Sequence, residues 1–503
     1  MRILHIGNIA NNAYLNAKLL NDAGFDCDVM CHDYYHIMGN PEWEDADFVG
    51  DIDSEFYPHW EKVDLRGFQR PPWFVQGPLN ICIRNLSARR KGNYWQEKFS
   101  KYQLKFTRSL EKRPLSILLL PLVLAKRSLT ILRKGGWRIL VFLRTLRVLT
   151  FLHTTLKFSR TSPYKKIYQE LATKFSHAFP NRSDQLLLSD LTPYLHLINK
   201  LGRLFAEYDV IQTYGTDPIL ALLSGVRPYL AFEHGTIRSL PFEETSQGRL
   251  IALSYRLANG VIITNCDNKR AAERLELPDY RFIPHPINET WDSIDGGNLR
   301  EKLQKELNAD FLLFHPARQH WSRQPKGDPS WFKSNHILIE GIAKYVKESN
   351  PKFGAVFVEW GQSVSASKDL IAQLGIEDRI KWITPQHSAN MTRYIDACDF
   401  VADQFFLGAF GSILPKALPR GKPVMLFLDQ DVHNWCFPEN PPCINAQTPI
   451  QVFNGLQRAY EDKEWLNKLA KQGMEWYETY HSNAVIKDRL VNFYYDVIEK
   501  HTT

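Results

Sequence analysis

The chain has few cysteines, and those it has form no recognisable set. Seven cysteines are scattered over 503 residues, their number is odd, and no two of them form a CxxC pair. A disulfide framework or a zinc knuckle needs paired, regularly spaced cysteines, so neither is predicted and a reducing compartment is favoured. The first twelve residues lack the long apolar core and the small-residue cleavage site of a secretory signal. We therefore expect a cytoplasmic protein.

Acidic residues are missing from one long segment. Residues 112–169 contain no Asp or Glu but thirteen Lys or Arg. Because the net charge of the whole chain is only +7, the remainder is mildly acidic, and the basicity belongs to one insertion rather than to a general nucleic-acid surface. The uncharged residues of the segment are mainly Leu, Ile and Val instead of the aromatic residues on which bases stack. Nucleic acid is therefore not predicted as a partner.

The same segment has no apolar run long enough to cross a bilayer. Residues 115–125 are apolar but include Pro121, and the next apolar run carries Arg138, Arg144 and Arg147. A spanning helix needs about twenty largely apolar residues, whereas arginines beside buried apolar groups are typical of helices that lie in the membrane interface. The pattern predicts peripheral attachment to an anionic membrane surface through these three arginines, on the cytoplasmic face of the inner or plasma membrane. Packing of these helices on the first domain is the alternative.

Outside this insertion, short apolar runs alternate with helical stretches. The first series predicts strands at 2–7, 27–30, 209–214, 229–233, 260–264 and 281–284. The second series predicts strands at 311–315, 355–360, 379–383, 400–402 and 423–427. Short apolar runs bounded by turn residues are typical of buried parallel strands. The pattern therefore predicts two doubly wound α/β domains, with a ligand site in the cleft at the carboxyl ends of their strands.

The domain boundaries follow from the same pattern. We expect a first domain at 1–290, which includes the basic, apolar helical insertion at about 85–185. A second domain is expected at 295–485. The remaining residues, 486–503, are predicted to form a helix that returns to the first domain.

The strongest local signal is a glycine-rich turn before a short helix, within Asp403–Val424. Glycines let backbone amides approach a ligand closely, and the N-terminus of a helix carries a partial positive charge. These features suit a phosphate group or a cluster of sugar hydroxyls. An ordinary βα turn is the alternative interpretation.

This stretch resembles the donor-site signature of the family 4 retaining glycosyltransferases, which have the two-domain GT-B architecture. Phe410-Gly411 and the run Gly421–Val424 match that signature, but Gly408 and Lys416 stand where the family has glutamates that contact the sugar and the ribose. The resemblance implies altered contacts to both. It implies a donor site formed by Gly408, Ala409, Phe410, Gly411, Ser412 and Lys416.

Two further elements resemble the same family in order and spacing. Leu312–Arg318 resembles its strand-to-arginine element, and Lys333–Gly341 resembles the start of its lysine-bearing helix. The resemblance implies that Arg318 and Lys333 bind the donor diphosphate, although Arg323 or Lys326 could supply a charge instead. Two cations can stabilise a departing diphosphate without a metal.

The first domain contributes weaker signals. His234 ends a predicted strand and resembles the family's His-Gly element, which implies that it faces the transferred sugar as a catalytic residue. Gly7 and Asn8 resemble the acceptor-side glycine loop. Asp51 and Asp53 form a D-x-D triplet, but no clear strand precedes it, so we expect an acidic, solvated loop and no metal site.

The resemblance implies a metal-independent, retaining glycosyltransferase that uses a UDP- or GDP-linked sugar and needs no cofactor. Its expected acceptor is a lipid-linked or membrane-proximal glycan in surface polysaccharide or glycolipid biosynthesis. One alternative is a catalytically degenerate GT-B homologue that binds a membrane or a glycan, which the two missing glutamates motivate. Another is an inverting GT-B enzyme, which would need a base carboxylate near the acceptor.

Overall fold

The computed structural model describes residues 1–111, 163–289, 297–323, 331–349 and 352–502. Arg138, Arg144 and Arg147 lie outside these ranges, as does Lys326, so the expectations for these residues stay predictions. Among the described residues, no helix combines the length and the apolarity that crossing a membrane requires.

The first domain is built on a seven-stranded parallel sheet. Its strand order is β3-β2-β1-β4-β5-β6-β7, and Ile3 of β1 is aligned with Cys27 of β2 on one side and Val210 of β4 on the other. These strands are short and largely buried on both faces, as apolar parallel strands should be. The strands are β1 Arg2–Ile6, β2 Asp26–His32, β3 Phe74–Gly77, β4 Val210–Tyr214, β5 Tyr229–Phe232, β6 Gly260–Ile263 and β7 Tyr280–Phe282.

Helices cover both faces of this sheet. Two of them, Tyr94–Glu111 and Pro163–Ala178, lie within the insertion predicted at about 85–185, of which residues 112–162 lie outside the described part. The helices are α1 Asn12–Asp22, α2 Pro41–Asp45, α3 Leu79–Arg90, α4 Tyr94–Glu111, α5 Pro163–Ala178, α6 Leu188–Leu191, α7 Ile198–Phe205, α8 Pro218–Ser224, α9 Ser246–Arg256 and α10 Lys269–Arg274.

The second domain repeats the plan with a six-stranded parallel sheet of order β10-β9-β8-β11-β12-β13. Its strands are β8 Phe311–His315, β9 Phe353–Val358, β10 Ile380–Ile383, β11 Phe400–Ala402, β12 Val424–Leu426 and β13 Ile444–Asn445. Its helices are α11 Gly297–Leu307, α12 Asn335–Glu348, α13 Val364–Leu374, α14 Ser388–Ala397, α15 Ile413–Ala417, α16 Gln430–His433, α17 Pro449–Glu461 and α18 Lys463–Tyr480.

The two parallel sheets confirm the predicted α/β architecture of two Rossmann-like domains, the GT-B arrangement. The last helix, α19 Asn483–Thr502, packs against the first domain. Its Phe493 and Tyr494 are buried in the core of that domain, and the Tyr494 hydroxyl donates to Oε1 of Gln212 on β4 at 2.5 Å. The end of the chain thus fastens the second domain to the first.

Candidate functional site

Arg318 follows β8 and lies in the cleft between the domains. Its guanidinium carbon is 5.7 Å from the centre of the Trp360 ring, and the side chain remains exposed. Desolvation by the cleft walls lowers the pKa of Arg318, while Tyr34 and Glu55 of the first domain act in the opposite direction. The second domain therefore presents a guanidinium toward the first.

Lys333, just before α12, supplies a second cation to the same cleft. Its Nζ donates to Oε1 of Gln404 at 2.6 Å. Burial lowers the pKa of Lys333, Asp403 opposes this shift, and the positive charges of Arg318 and Arg238 lower the pKa further. Lys333 thus lies within electrostatic range of two other cations as well as one acid, and an anionic ligand would relieve the repulsion among the cations.

Arg238 completes a group of three cations and comes from the first domain, four residues after His234. It is held by Asp267, with Nε at 2.6 Å from Oδ2 and Nη2 at 2.9 Å from Oδ1. Sequence reasoning singled out His234 in this loop and missed Arg238. The signal available was a basic residue soon after a strand end that faces the cleft.

Asn335 fixes the backbone around Arg318. Its Nδ2 lies 2.9 Å from Nε2 of His315 and donates to the Arg318 carbonyl at 3.3 Å, while its Oδ1 accepts from the His320 amide at 3.0 Å. One buried side chain at the start of α12 therefore ties the end of β8 to the loop that carries the arginine. Such support keeps a charged group in place before a ligand arrives.

The glycine-rich turn explains one departure from the family signature. Gly408 has a left-handed backbone with φ of 71°, and its carbonyl accepts from the Asp429 amide at 2.8 Å. A Cβ at this position would lie 2.7 Å from Cβ of Asp429 and 3.0 Å from the Phe427 ring. A glutamate here would be strained and would collide with that wall, so the turn in this form requires glycine.

The backbone of the glycine-rich turn already contacts side chains of the protein itself. The Gly411 backbone lies beside the buried Asp403 carboxyl and lowers its pKa, and Gln404 Nε2 donates to the Ala409 carbonyl. Burial raises the pKa of Asp403, and Lys333 opposes that rise. A ligand that binds the Gly411 amide would therefore compete with Asp403 for it, whereas the adjacent Ser412 is exposed.

The helix after the turn is short, as the sequence predicted. It begins at Ile413, two residues beyond Gly411, and has five residues, too few for a substantial helix dipole. Phe410 does not point toward an open ligand site, since its ring stacks on His433 with centroids 5.3 Å apart and lies 6.2 Å from Trp476. The cleft therefore derives its positive character mainly from side chains.

Lys416 reaches across the cleft and explains the second departure. Its Nζ is 3.4 Å from Oε1 of Glu44 in the first domain and donates to the Ser388 hydroxyl at 3.0 Å. A second ion pair, Arg393 with Asp47 at 2.7 Å, joins the domains nearby. The charge of Lys416 is thus matched to an acid of the opposite domain.

Aromatic rings reinforce this interdomain contact. Phe48 lies 4.2 Å from His387, and Trp43 lies 6.3 Å from Trp360, measured between ring centroids. Residues 44–55 were expected to form a solvated acidic loop, and that expectation is wrong for residues 44–48 because Glu44, Asp47 and Phe48 contact the second domain. Farther along the loop, Asp53 is exposed and pairs with Lys62 at 2.6 Å. Among the described residues, no group of His, Cys, Asp and Glu has the geometry to hold a metal.

His234 lies at the end of β5, as predicted. Asn12 Nδ2 is 3.2 Å from its Nδ1, and its ring stacks on His285 with centroids 5.1 Å apart and planes 9° from parallel. Burial lowers the pKa of His234 to about 3. Its imidazole is therefore neutral near pH 7 and can accept or donate a hydrogen bond without carrying charge.

The loop after β1 is stabilised by close packing at Gly7 and by hydrogen bonds of the Asn8 side chain. Gly7 has φ of 90°, and a Cβ there would lie 2.4 Å from Oδ2 of Asp217, so this close approach requires glycine. Asn8 is buried, donates to Oδ1 of Asn11 at 3.0 Å and accepts from the Tyr14 amide at 2.9 Å. The Asn8 side chain is committed to the shape of the loop, so an acceptor would meet this loop elsewhere.

Comparison with known proteins gives distant likenesses. No family model matches the chain, and no curated protein matches it. The chain is similar to HepE from Anabaena in complex with UDP and glucose, at 18% identity, covering 60% of this chain and 82% of HepE, with a TM-score of 0.47. It is also similar to a sucrose-phosphate synthase from Thermosynechococcus elongatus, at 16% identity, covering 60% and 79% of the two chains, with a TM-score of 0.44. A glycosyltransferase from Rickettsia africae is 12% identical, with 66% and 94% covered and a TM-score of 0.45. None of these likenesses is close enough to assign a reaction.

Proposed function

We propose that the protein is a glycosyltransferase that moves a sugar from a nucleoside-diphosphate sugar to a glycan acceptor. The observation that carries this proposal is the convergence of Arg318, Lys333 and Arg238 between the carboxyl ends of two parallel sheets. Doubly wound folds bind nucleotides in that position. Fixed cations are the groups that stabilise the negative charge of a departing diphosphate.

The donor, UDP- or GDP-linked, would place its diphosphate against Arg318 and Lys333. When the bond between the anomeric carbon and the phosphate oxygen breaks, the electron pair stays on that oxygen and the sugar becomes oxocarbenium-like. The acceptor hydroxyl then attacks from the same face, and its proton passes to the leaving phosphate, which gives retention. Because its imidazole is neutral, His234 would orient the sugar through a hydrogen bond and would not act as a nucleophile.

Activity of the purified protein tests the proposal. A panel of UDP- and GDP-sugars should include one donor that is hydrolysed slowly or transferred to a glycan, and the anomer of the product should match that of the donor. A donor that binds without turnover would favour the degenerate homologue, which the missing glutamates motivate. An inverted product would favour an inverting enzyme.

We expect transfer to proceed without a divalent metal. Arg318, Lys333 and Arg238 supply positive charge where a metal would otherwise act on the diphosphate. Turnover should be unchanged when EDTA is added to the assay, with a manganese-dependent glycosyltransferase as the positive control for chelation. Loss of turnover in EDTA, with recovery on addition of manganese, would contradict this part of the proposal.

A lipid-linked or membrane-proximal acceptor is proposed from the basic segment at 112–166. Changing Arg138, Arg144 and Arg147 to Glu is expected to leave the protein in the soluble fraction, because acids that anionic lipid repels would replace three cations that attract it. The wild-type protein should float with phosphatidylglycerol vesicles and more weakly with neutral ones. Equal flotation of both proteins would mean that these arginines do not contact lipid.

A further inference from the structure

Helix α4 exposes a row of aromatic side chains along one side. Trp95, Phe99 and Tyr102 are 76%, 59% and 64% exposed, and their spacing of four and three residues places them on one face of the helix. The opposite face packs on α3, where the Ser100 hydroxyl accepts from Nδ2 of Asn85 at 2.9 Å. Folding therefore buries a serine and leaves three large rings exposed, the reverse of an ordinary surface helix.

A basic pocket lies beside this aromatic row. It is an open pocket of about 510 Å³ between α3, α4 and α7, and Gln96, the neighbour of Trp95, contributes to its wall. Its wall also contains four cations, and in the part of the chain that the structure describes none of them forms an ion pair with a carboxylate. They are Arg84, Lys91, Lys200 and Arg203.

We propose that the α4 aromatic row and this basic pocket together form a docking site for an anionic phospholipid bilayer. The rings would enter the membrane interface, where Trp and Tyr are favoured because one part of the ring is apolar and another polar. The pocket would take the phosphate of a lipid headgroup. The exposed Lys98 and Lys105 on α4 add charge of the same sign.

Charge and placement favour a bilayer over other occupants. A nucleic-acid strand would need its stacking rings inside the cationic groove, but the wall of the pocket contains no aromatic residue and the rings lie outside it. A soluble acidic peptide could bind the cations, but it would leave the aromatic row exposed to water. A bilayer can contact both features at once, because its apolar acyl region can take up the aromatic row while its anionic headgroups bind the four cations.

This inference goes beyond glycosyl transfer and does not depend on it, because vesicle binding needs neither donor nor acceptor. Its candidate site includes no residue of the segment 112–162, and the two regions would contact the same membrane together. If the site docks as proposed, the first domain lies against the membrane. An acceptor embedded in that membrane would then be close to this domain rather than to the second.

The test is flotation of the full-length protein with phosphatidylcholine vesicles, with and without phosphatidylglycerol. The aromatic variant, Trp95→Ser with Phe99→Ser and Tyr102→Ser, should bind both kinds of vesicle about tenfold more weakly. The cation variant should lose only the additional binding that phosphatidylglycerol provides. It combines Arg84→Gln, Lys91→Gln, Lys200→Gln and Arg203→Gln.

A matched control changes exposed apolar residues elsewhere, Ile450→Ser with Tyr495→Ser, which are 48% and 55% exposed. This control should bind vesicles like the wild-type protein. The unfolding temperature of the aromatic variant should also be unchanged, because its rings are already exposed. A lower unfolding temperature together with normal flotation would show that another part of the chain covers the row, and would overturn the proposal.

Three further results would overturn it. The aromatic variant could float like the wild type, or it could convert a wild-type dimer to a monomer without changing flotation, which would identify the row as a self-association surface. The cation variant could lose binding of inorganic phosphate and still float normally, which would identify a site for a soluble anion. Retained vesicle binding in any of these cases would exclude the bilayer as the occupant.

Discussion

Replacing Arg318 with alanine is expected to lower kcat/KM for sugar transfer by about 100- to 1000-fold, or roughly 3–4 kcal/mol of transition-state stabilisation. The guanidinium is held in the cleft beside Trp360 and by a backbone that Asn335 fixes. It therefore needs no reorganisation when charge develops on the leaving diphosphate. Steady-state kinetics with saturating acceptor would measure the loss.

Arg323→Ala is the matched control, because it removes the same kind of side chain five residues farther along. Arg323 is exposed, and its removal is expected to change kcat/KM by less than about twofold, as for an ordinary surface cation. Unchanged turnover and donor affinity in the Arg318 variant would remove Arg318 from the site. An equal loss of kcat/KM in the Arg323 variant would show that Arg318 is not the particular arginine that binds the diphosphate.

Lys416→Glu is expected to reduce transfer by about 10- to 100-fold, although it restores the usual residue of the family. The new carboxylate would face Glu44, whose Oε1 is 3.4 Å from the lysine Nζ. Two acids in this poorly hydrated contact would repel each other and disfavour the contact between the domains. Transfer rate and donor affinity should both be measured.

The charge-swapped double variant provides the decisive control. Combining Lys416→Glu with Glu44→Lys restores an ion pair of opposite orientation, and it should recover much of the activity that Lys416→Glu alone loses. A structural role unrelated to the pair would leave the double variant as impaired as the single one. Higher donor affinity in the single variant would show instead that a glutamate at 416 still meets the ribose.

Most strands were predictable because buried parallel strands are short, apolar and bounded by turns. Strand β3 was not predicted, because Phe74–Gly77 includes a glutamine and a glycine and follows two prolines in a tryptophan-rich stretch. Strand β13 has only two residues, too few for any periodicity. In both cases the neighbouring strand determines the conformation, and local sequence does not carry that information.

The candidate site was only partly predictable for a related reason. The resemblance to the glycosyltransferase family singled out Arg318, Lys333 and His234, each from the sequence of one domain. Contacts between the domains could not be predicted in this way, because Lys416 pairs with Glu44 across 372 positions of sequence. The acidic run at 44–47 suggested a solvated loop, yet Asp47 pairs with Arg393 of the opposite domain.

Binding of a nucleotide sugar to the cleft is the most direct test of the central claim. We predict that at least one UDP- or GDP-sugar, at about 100 times its dissociation constant, raises the free energy of unfolding of the wild-type protein by about 2.7 kcal/mol. The same ligand should give little or no stabilisation in a variant that combines Arg318→Ala with Lys333→Ala. Failure of every nucleotide sugar to stabilise the wild-type protein, or equal stabilisation of that variant, would contradict the account.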